Sequence, residues 1–295
     1  MRNFIILFNS KEGSTAIVSI LNNFDNVAII QNDKKLGFEP FDKDSAGNIT
    51  NRNLKRILEM IFDDKNHDFS SINKIYQKSA NSQIQAFNKK NIIGFKMRFQ
   101  TQDLNLPGWL GNSKLLKQKF IDYKNNQYRK MMMDIFIRFN VTVFLMVRQN
   151  IFEWAFSQYH GDGSGNRGHL QFKLALGEIG EKDIKPIIIE ENRFIKVLNM
   201  TKNKFEQKRK LYVELVNRNI RVIPLIYEDF LNDQKKFFSD FFRNLDIPMN
   251  EKLLEESLEK GTILKKVHKE DLKSYIINHD EILAKYGRFY IPWIG

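Results

Sequence analysis

Short apolar runs rich in Ile, Val and Phe recur along this chain with longer amphipathic segments between them, and that alternation limits the fold more than any other feature. Strands separated by helix-length segments pair in parallel, because each crossover must return over the face of the sheet. The expected class is therefore α/β, a parallel sheet flanked by helices and carrying helical insertions. The strand candidates are Asn3–Phe8, Val27–Gln31, Ile92–Phe99, Val141–Val147 and Ile220–Tyr227. The first, fourth and fifth are almost continuously apolar, the pattern of strands buried on both faces.

The segments between them keep helical spacing over Thr15–Asn23, Arg52–Phe62, Ser71–Phe87, Lys114–Phe139, Ile151–Tyr159 and Ile187–Asn217. Leu54, Ile57, Leu58 and Ile61 show the period clearly and predict a core-facing stripe. Gly161–His169 holds four glycines and reads as a loop. Asp233–Leu245, Asn250–Glu259 and Lys269–Lys285 complete the expected helices. A single domain of residues 1–295 is expected, with helical insertions near 42–90 and 161–210.

Composition narrows the chemistry. There is no cysteine, so thiol nucleophiles, disulfides and zinc–thiolate sites are excluded, and the five histidines show no close metal-ligand pairing. The net charge of +12 favours anionic partners, although the same excess follows from a general abundance of lysine. Phe4–Phe8 is too short for a signal-peptide core, and no stretch approaches the roughly 18 apolar residues that cross a bilayer. A cytoplasmic protein is expected.

After the first strand the chain reads Asn9-Ser10-Lys11-Glu12-Gly13-Ser14-Thr15, and then a helix with Ile17, Val18, Ile20 and Leu21. Gly13 allows close backbone approach, Ser14 and Thr15 bring hydroxyls, and the helix N-terminus brings unpaired N–H groups with the positive dipole end. Such a loop cradles an anion; the same string also simply turns and caps a helix. It is not the triphosphate loop G-x-x-x-x-G-K-[ST], because Lys11 precedes Gly13 rather than following it. At the end of the fourth strand, Arg148 is followed nine residues later by Ser157 on the next helix. An arginine there sits where doubly wound sheets bind ligands, and it offers paired hydrogen bonds to phosphate.

These two motifs, in this order, resemble those of sulfotransferases that use 3′-phosphoadenosine 5′-phosphosulfate (PAPS). Lys11-Glu12-Gly13-Ser14-Thr15 is similar to the family's 5′-phosphosulfate loop, and Arg148 with Ser157 to its 3′-phosphate site, with the spacing of the bacterial, carbohydrate-type branch. The resemblance implies a P-loop-like nucleotide-binding fold and PAPS as the sulfuryl donor, with no metal required. It implies cofactor contacts from Lys11, Gly13, Ser14, Thr15, Arg148 and Ser157. Tyr227-Glu228-Asp229-Phe230 resembles the segment whose tyrosine lies near the adenine. Lys266, in Leu264-Lys265-Lys266-Val267, resembles a lysine that reaches a cofactor phosphate, with Lys260-Gly261 as the alternative. Glu12 stands where the family usually has Ser or Thr, which requires its carboxylate to point away from the anion.

For the reaction, the resemblance implies Lys11 as the catalytic cation on the leaving oxygen and Glu39, in Lys35-Leu36-Gly37-Phe38-Glu39-Pro40-Phe41, as the base. His160 and His169 are the other candidate bases. Lys96 and Arg98 alternate on one strand, so both can face one side and meet an anionic acceptor, or equally decorate a sheet edge. The expected acceptor is a glycan or glycolipid hydroxyl or amine. A P-loop small-molecule kinase and a polyanion- or nucleic-acid-binding protein without catalysis are the alternatives. The aromatics keep helical core spacing rather than interleaving with basic residues in one tract, which disfavours nucleic acid.

Overall fold

The computed structural model describes residues 2–9, 12–32, 40–41, 49–63, 69–78, 84–85, 92–98, 114–163, 177, 180, 186–261 and 276–294. The elements are β1 (Arg2–Phe8), α1 (Ser14–Leu21), β2 (Val27–Ile29), β3 (Gln31–Asn32), α2 (Asn51–Phe62), α3 (Phe69–Tyr76), β4 (Ile84–Gln85), β5 (Ile92–Arg98), α4 (Lys114–Arg138), β6 (Thr142–Val147), α5 (Ile151–Gly163), α6 (Glu191–Asn217), β7 (Val222–Ile226), α7 (Tyr227–Asn232), α8 (Gln234–Arg243), α9 (Glu251–Glu259) and α10 (His279–Tyr286). Five strands form an all-parallel sheet in the order β2-β5-β1-β6-β7, and β3 and β4 make a separate antiparallel pair.

The residues fall into two compact units. One comprises Met1–Phe8, Asp25–Leu145 and Glu214–Ile223; the other comprises Asn9–Phe24, Met146–Val213 and Pro224–Gly295. The first holds the body of the sheet. Central β1 pairs with β5 from Arg2↔Ile92 to Phe8↔Arg98 and with β6 from Phe4↔Thr142 to Leu7↔Leu145. Residues 3–8 of β1 and all of β6 are buried, as their continuous apolar runs require. Gly94 lets β5 pass close to the Phe4 ring, since a Cβ there would lie 2.3 Å from that ring. Phe4 packs edge-on against Phe144, and Phe62 stacks on Phe95.

The stripe predicted on α2 is buried as expected, and Thr50 caps that helix by accepting from Asn53 N at 3.2 Å. Five expectations need correction. β7 is an edge strand and mostly half-buried, rather than buried on both faces. Ser71–Phe87 is not one helix: α3 stops at Tyr76, and Ile84–Gln85 is a strand. The long helix begins at Glu191, because Ile187 bridges Ile276 in extended backbone, and the last helix starts only at His279. The Gly161–His169 loop begins later than expected, since α5 runs through Gly163; residues 164–169 lie outside the described residues.

The second unit has its own apolar centre, in which Ile151, Trp154, Ala155, Phe194 and Phe205 are fully buried. Phe24, just beyond α1, packs on Phe238 and Phe242 of α8. Asn23 donates to the carbonyls of Ser257 and Gly261, tying the end of α1 to the end of α9. These contacts fix α1, and with it the loop that precedes it.

Candidate functional site

The second unit brings together most of the described residues that the sequence singled out. Gly13 occupies the N-cap position of α1 with φ +82°, a left-handed conformation that glycine takes without penalty. Its carbonyl accepts from Ala16 N at 3.0 Å, and as a glycine it brings no side chain to cap the helix. The N–H groups and positive dipole end of a helix start of this kind attract an anion. Ser14 is buried and Thr15 half-buried.

The reason for a glycine at position 13 is also visible from outside the loop. A Cβ there would sit 2.1 Å from Cε2 of Tyr227, so the tyrosine ring lies directly against the Gly13 backbone. The other side of the arrangement is Arg148, whose guanidinium lies over the same ring, 4.9 Å from its centroid. Arg148 Nη1 donates to Ser157 Oγ at 3.3 Å and Nη2 to Glu153 at 3.1 Å. Ser157 Oγ in turn donates to the carbonyl of Glu153 at 2.9 Å. Burial pushes the Tyr227 phenol above its ordinary pKa, with Arg148 opposing, so the ring stays neutral and keeps its hydroxyl proton at neutral pH.

The turn after Arg148 is held from two directions. The Glu228 carboxylate accepts from Gln149 N at 3.1 Å and from Asn150 N at 2.8 Å. The segment near the carboxyl terminus runs alongside: Ile291 N donates to the Gln149 carbonyl, Trp293 N to the Gln149 side chain, and Ile151 N to the Phe289 carbonyl. Tyr227 and Glu228 thus divide their work. The tyrosine packs on Gly13 and Arg148, while the glutamate fixes the backbone that carries Arg148.

Glu12 does point away from the loop's open side. It is completely buried; its carboxylate accepts from Asn9 N and pairs with Lys208 of α6, which also donates to the Met146 carbonyl of β6. Burial pushes the Glu12 carboxyl up and the Lys208 amine down, and the attraction between them opposes both shifts.

No family model and no curated protein matches this chain. Two solved structures are similar at low identity. One is a sulfotransferase from Alicyclobacillus acidocaldarius, 13% identical over 97% of this chain and 92% of that one, with a TM-score of 0.39. The other is sulfotransferase STF9 from Mycobacterium avium, 9% identical over 100% of this chain and 78% of that one, also with a TM-score of 0.39.

Of the residues expected in the site, Gly13, Arg148, Ser157 and Tyr227 form one contiguous set, with Ser14 and Thr15 opening α1 beside it. Lys11, Glu39, Lys266 and His169 lie outside the described residues, as does the side chain of His160. Lys96 and Arg98 do share one face of β5 in the first unit, at 4.7 and 5.8 Å from the Phe8 ring centroid. Three functional partners were not anticipated: Glu153, Glu228 and Lys208. Glu153 carried a usable signal, since it precedes Ser157 by one helical turn and so shares its face. Lys208 carried none, because its partner is 196 residues away.

Proposed function

We propose that this chain is a sulfotransferase that moves a sulfuryl group from PAPS to a hydroxyl or amine of a glycan or glycolipid. The observation that carries the proposal is the contact chain Gly13, Tyr227, Arg148, Ser157. In it, the two motifs that resemble the family's 5′- and 3′-phosphate sites meet on one tyrosine ring.

On this reading the N–H groups that open α1 hold the 5′-phosphosulfate, with Thr15 and Ser14 adding hydroxyls. Arg148 and Ser157 hold the 3′-phosphate, and the exposed side of Tyr227 borders the adenine. Lys266 adds a cation to one phosphate. In the transfer itself the acceptor atom forms a bond to sulfur as sulfur's bond to the bridging oxygen breaks. Glu39 takes the acceptor's proton, and Lys11 balances the charge left on the phosphate oxygen.

Calorimetric titration with 3′-phosphoadenosine 5′-phosphate, run beside ATP with Mg²⁺ and a short DNA, tests the proposal. Micromolar binding of the first is expected, and Arg148→Ala is expected to weaken it about thirtyfold, the loss of charge-assisted bonds worth roughly 2 kcal/mol. A preference for ATP with Mg²⁺ would favour a kinase; a preference for DNA would favour a polyanion binder. Glu228→Ala removes two backbone bonds behind Arg148 without touching the ligand. It should weaken the same nucleotide by about tenfold, with titration against wild type as the check.

A further inference from the structure

We infer that Lys208 is a positioning residue that anchors the anion loop from behind, drawing Glu12 inward and tying the loop to the strand end that carries Arg148. The inference rests on the nucleotide reading for its functional consequence, and on geometry alone for the anchor.

Three segments of the site converge on one ammonium group. Lys208 Nζ donates to Glu12 of the loop and to the carbonyl of Met146, two residues before Arg148. It also lies 5.6 Å from the centroid of the Trp154 ring, on the helix that carries Ser157. Glu12 is 0% exposed and Lys208 5% exposed, so neither charge is shared with solvent. The Glu12 carboxylate also accepts from Asn9 N, which closes the loop on itself across the two ends of 9–12.

A buried ion pair is an expensive way to gain stability, since apolar residues of similar volume often serve as well. It is a good way to specify a single geometry, and here the geometry is that of the loop. The pair also carries no net charge, so a carboxylate in an anion loop does not repel the anion. Among the described residues, the further charged group that acts on the pair is Lys204, one turn earlier on α6, which donates to Gln158 at 2.7 Å.

In Lys208→Met the Glu12 carboxylate has no cation to meet inside. When ionised it must turn out towards the bound anion; when protonated it can stay buried. The variant's nucleotide affinity relative to wild type therefore becomes pH-dependent, falling as pH rises. Adding Glu12→Gln removes the carboxylate and with it that dependence.

The test has two arms. Hydrogen exchange on the ligand-free protein reads the anchor: in Glu12→Gln/Lys208→Met, which lacks the pair but strands no charge, amides of residues 12–16 should exchange at least about tenfold faster while those of β1 stay close to their wild-type rates. Titration with 3′-phosphoadenosine 5′-phosphate at pH 6 and pH 8.5 reads the consequence. The deficit against wild type should reach about tenfold at the higher pH and narrow at the lower, and Glu12→Gln/Lys208→Met should show no such change. Unchanged loop exchange, or a deficit equal at both pH values, overturns the inference. Should Lys208→Met not fold, Glu12→Ala reads the same anchor from the loop side, and wild-type exchange in that variant overturns it. If wild type does not bind the nucleotide, the functional proposal falls and the exchange arm alone decides the anchor.

Discussion

Gly13→Ala is expected to abolish measurable binding of 3′-phosphoadenosine 5′-phosphate while leaving the sheet intact. Two costs fall on one methyl group. Alanine at φ +82° is strained by about 1–2 kcal/mol. The added carbon, 2.1 Å from Tyr227 Cε2, must displace that ring or itself, at roughly 1–3 kcal/mol. The ring cannot move alone, because Arg148 rests on it and Ser157 rests on Arg148. Both half-sites therefore shift together, which makes the loss larger than that of Arg148→Ala. Calorimetry gives the affinity, and far-UV circular dichroism checks that the fold persists. Affinity within about threefold of wild type would mean the loop is not part of the binding site.

How much of this was readable beforehand depends on whether the cause was local. The runs of β1 and β6 were legible because a strand buried on both faces must be apolar throughout. The Gly13 loop and Arg148–Ser157 were legible because turn chemistry and strand-to-helix spacing are short-range. The apolar run of β7 reads as a strand buried on both faces, although Pro224 in its middle removes a ladder donor, a residue that sheets tolerate at their edges. That signal was present and was outweighed by the apolar run. The ends of α3, α6 and α10 were overextended, because helical spacing persists in sequence beyond the point where tertiary partners such as the Ile187–Ile276 bridge take the backbone. Lys208 could not be found at all: a lysine on an amphipathic helix reads as solvated until a partner from a distant segment buries it.

That distant partner sets the second large effect. Lys208→Met is expected to lower folding stability by about 3–5 kcal/mol at pH 8, the cost of leaving a buried carboxylate without its cation. The sign of its pH dependence follows from Glu12. Burial already raises the folded-state carboxyl above its ordinary value, and removing Lys208 removes the largest opposing influence, so the folded form holds the proton more tightly than the unfolded form. Below the ordinary carboxylate pKa both forms are protonated and the carboxylate imposes no cost. As pH rises from there towards the raised folded-state value, the unfolded chain alone gains from ionising, and stability falls. Urea unfolding of the variant at pH 5 and pH 8 should show the deficit against wild type widening with pH. Wild type should lack this trend from the site, because a proton passed between Glu12 and Lys208 leaves the pair neutral in either state. The double variant Glu12→Gln/Lys208→Met should recover most of the lost stability, since two neutral side chains strand no charge. A deficit that is the same at both pH values would mean that Lys208 acts by filling space, and that Glu12 was never its electrostatic counterpart.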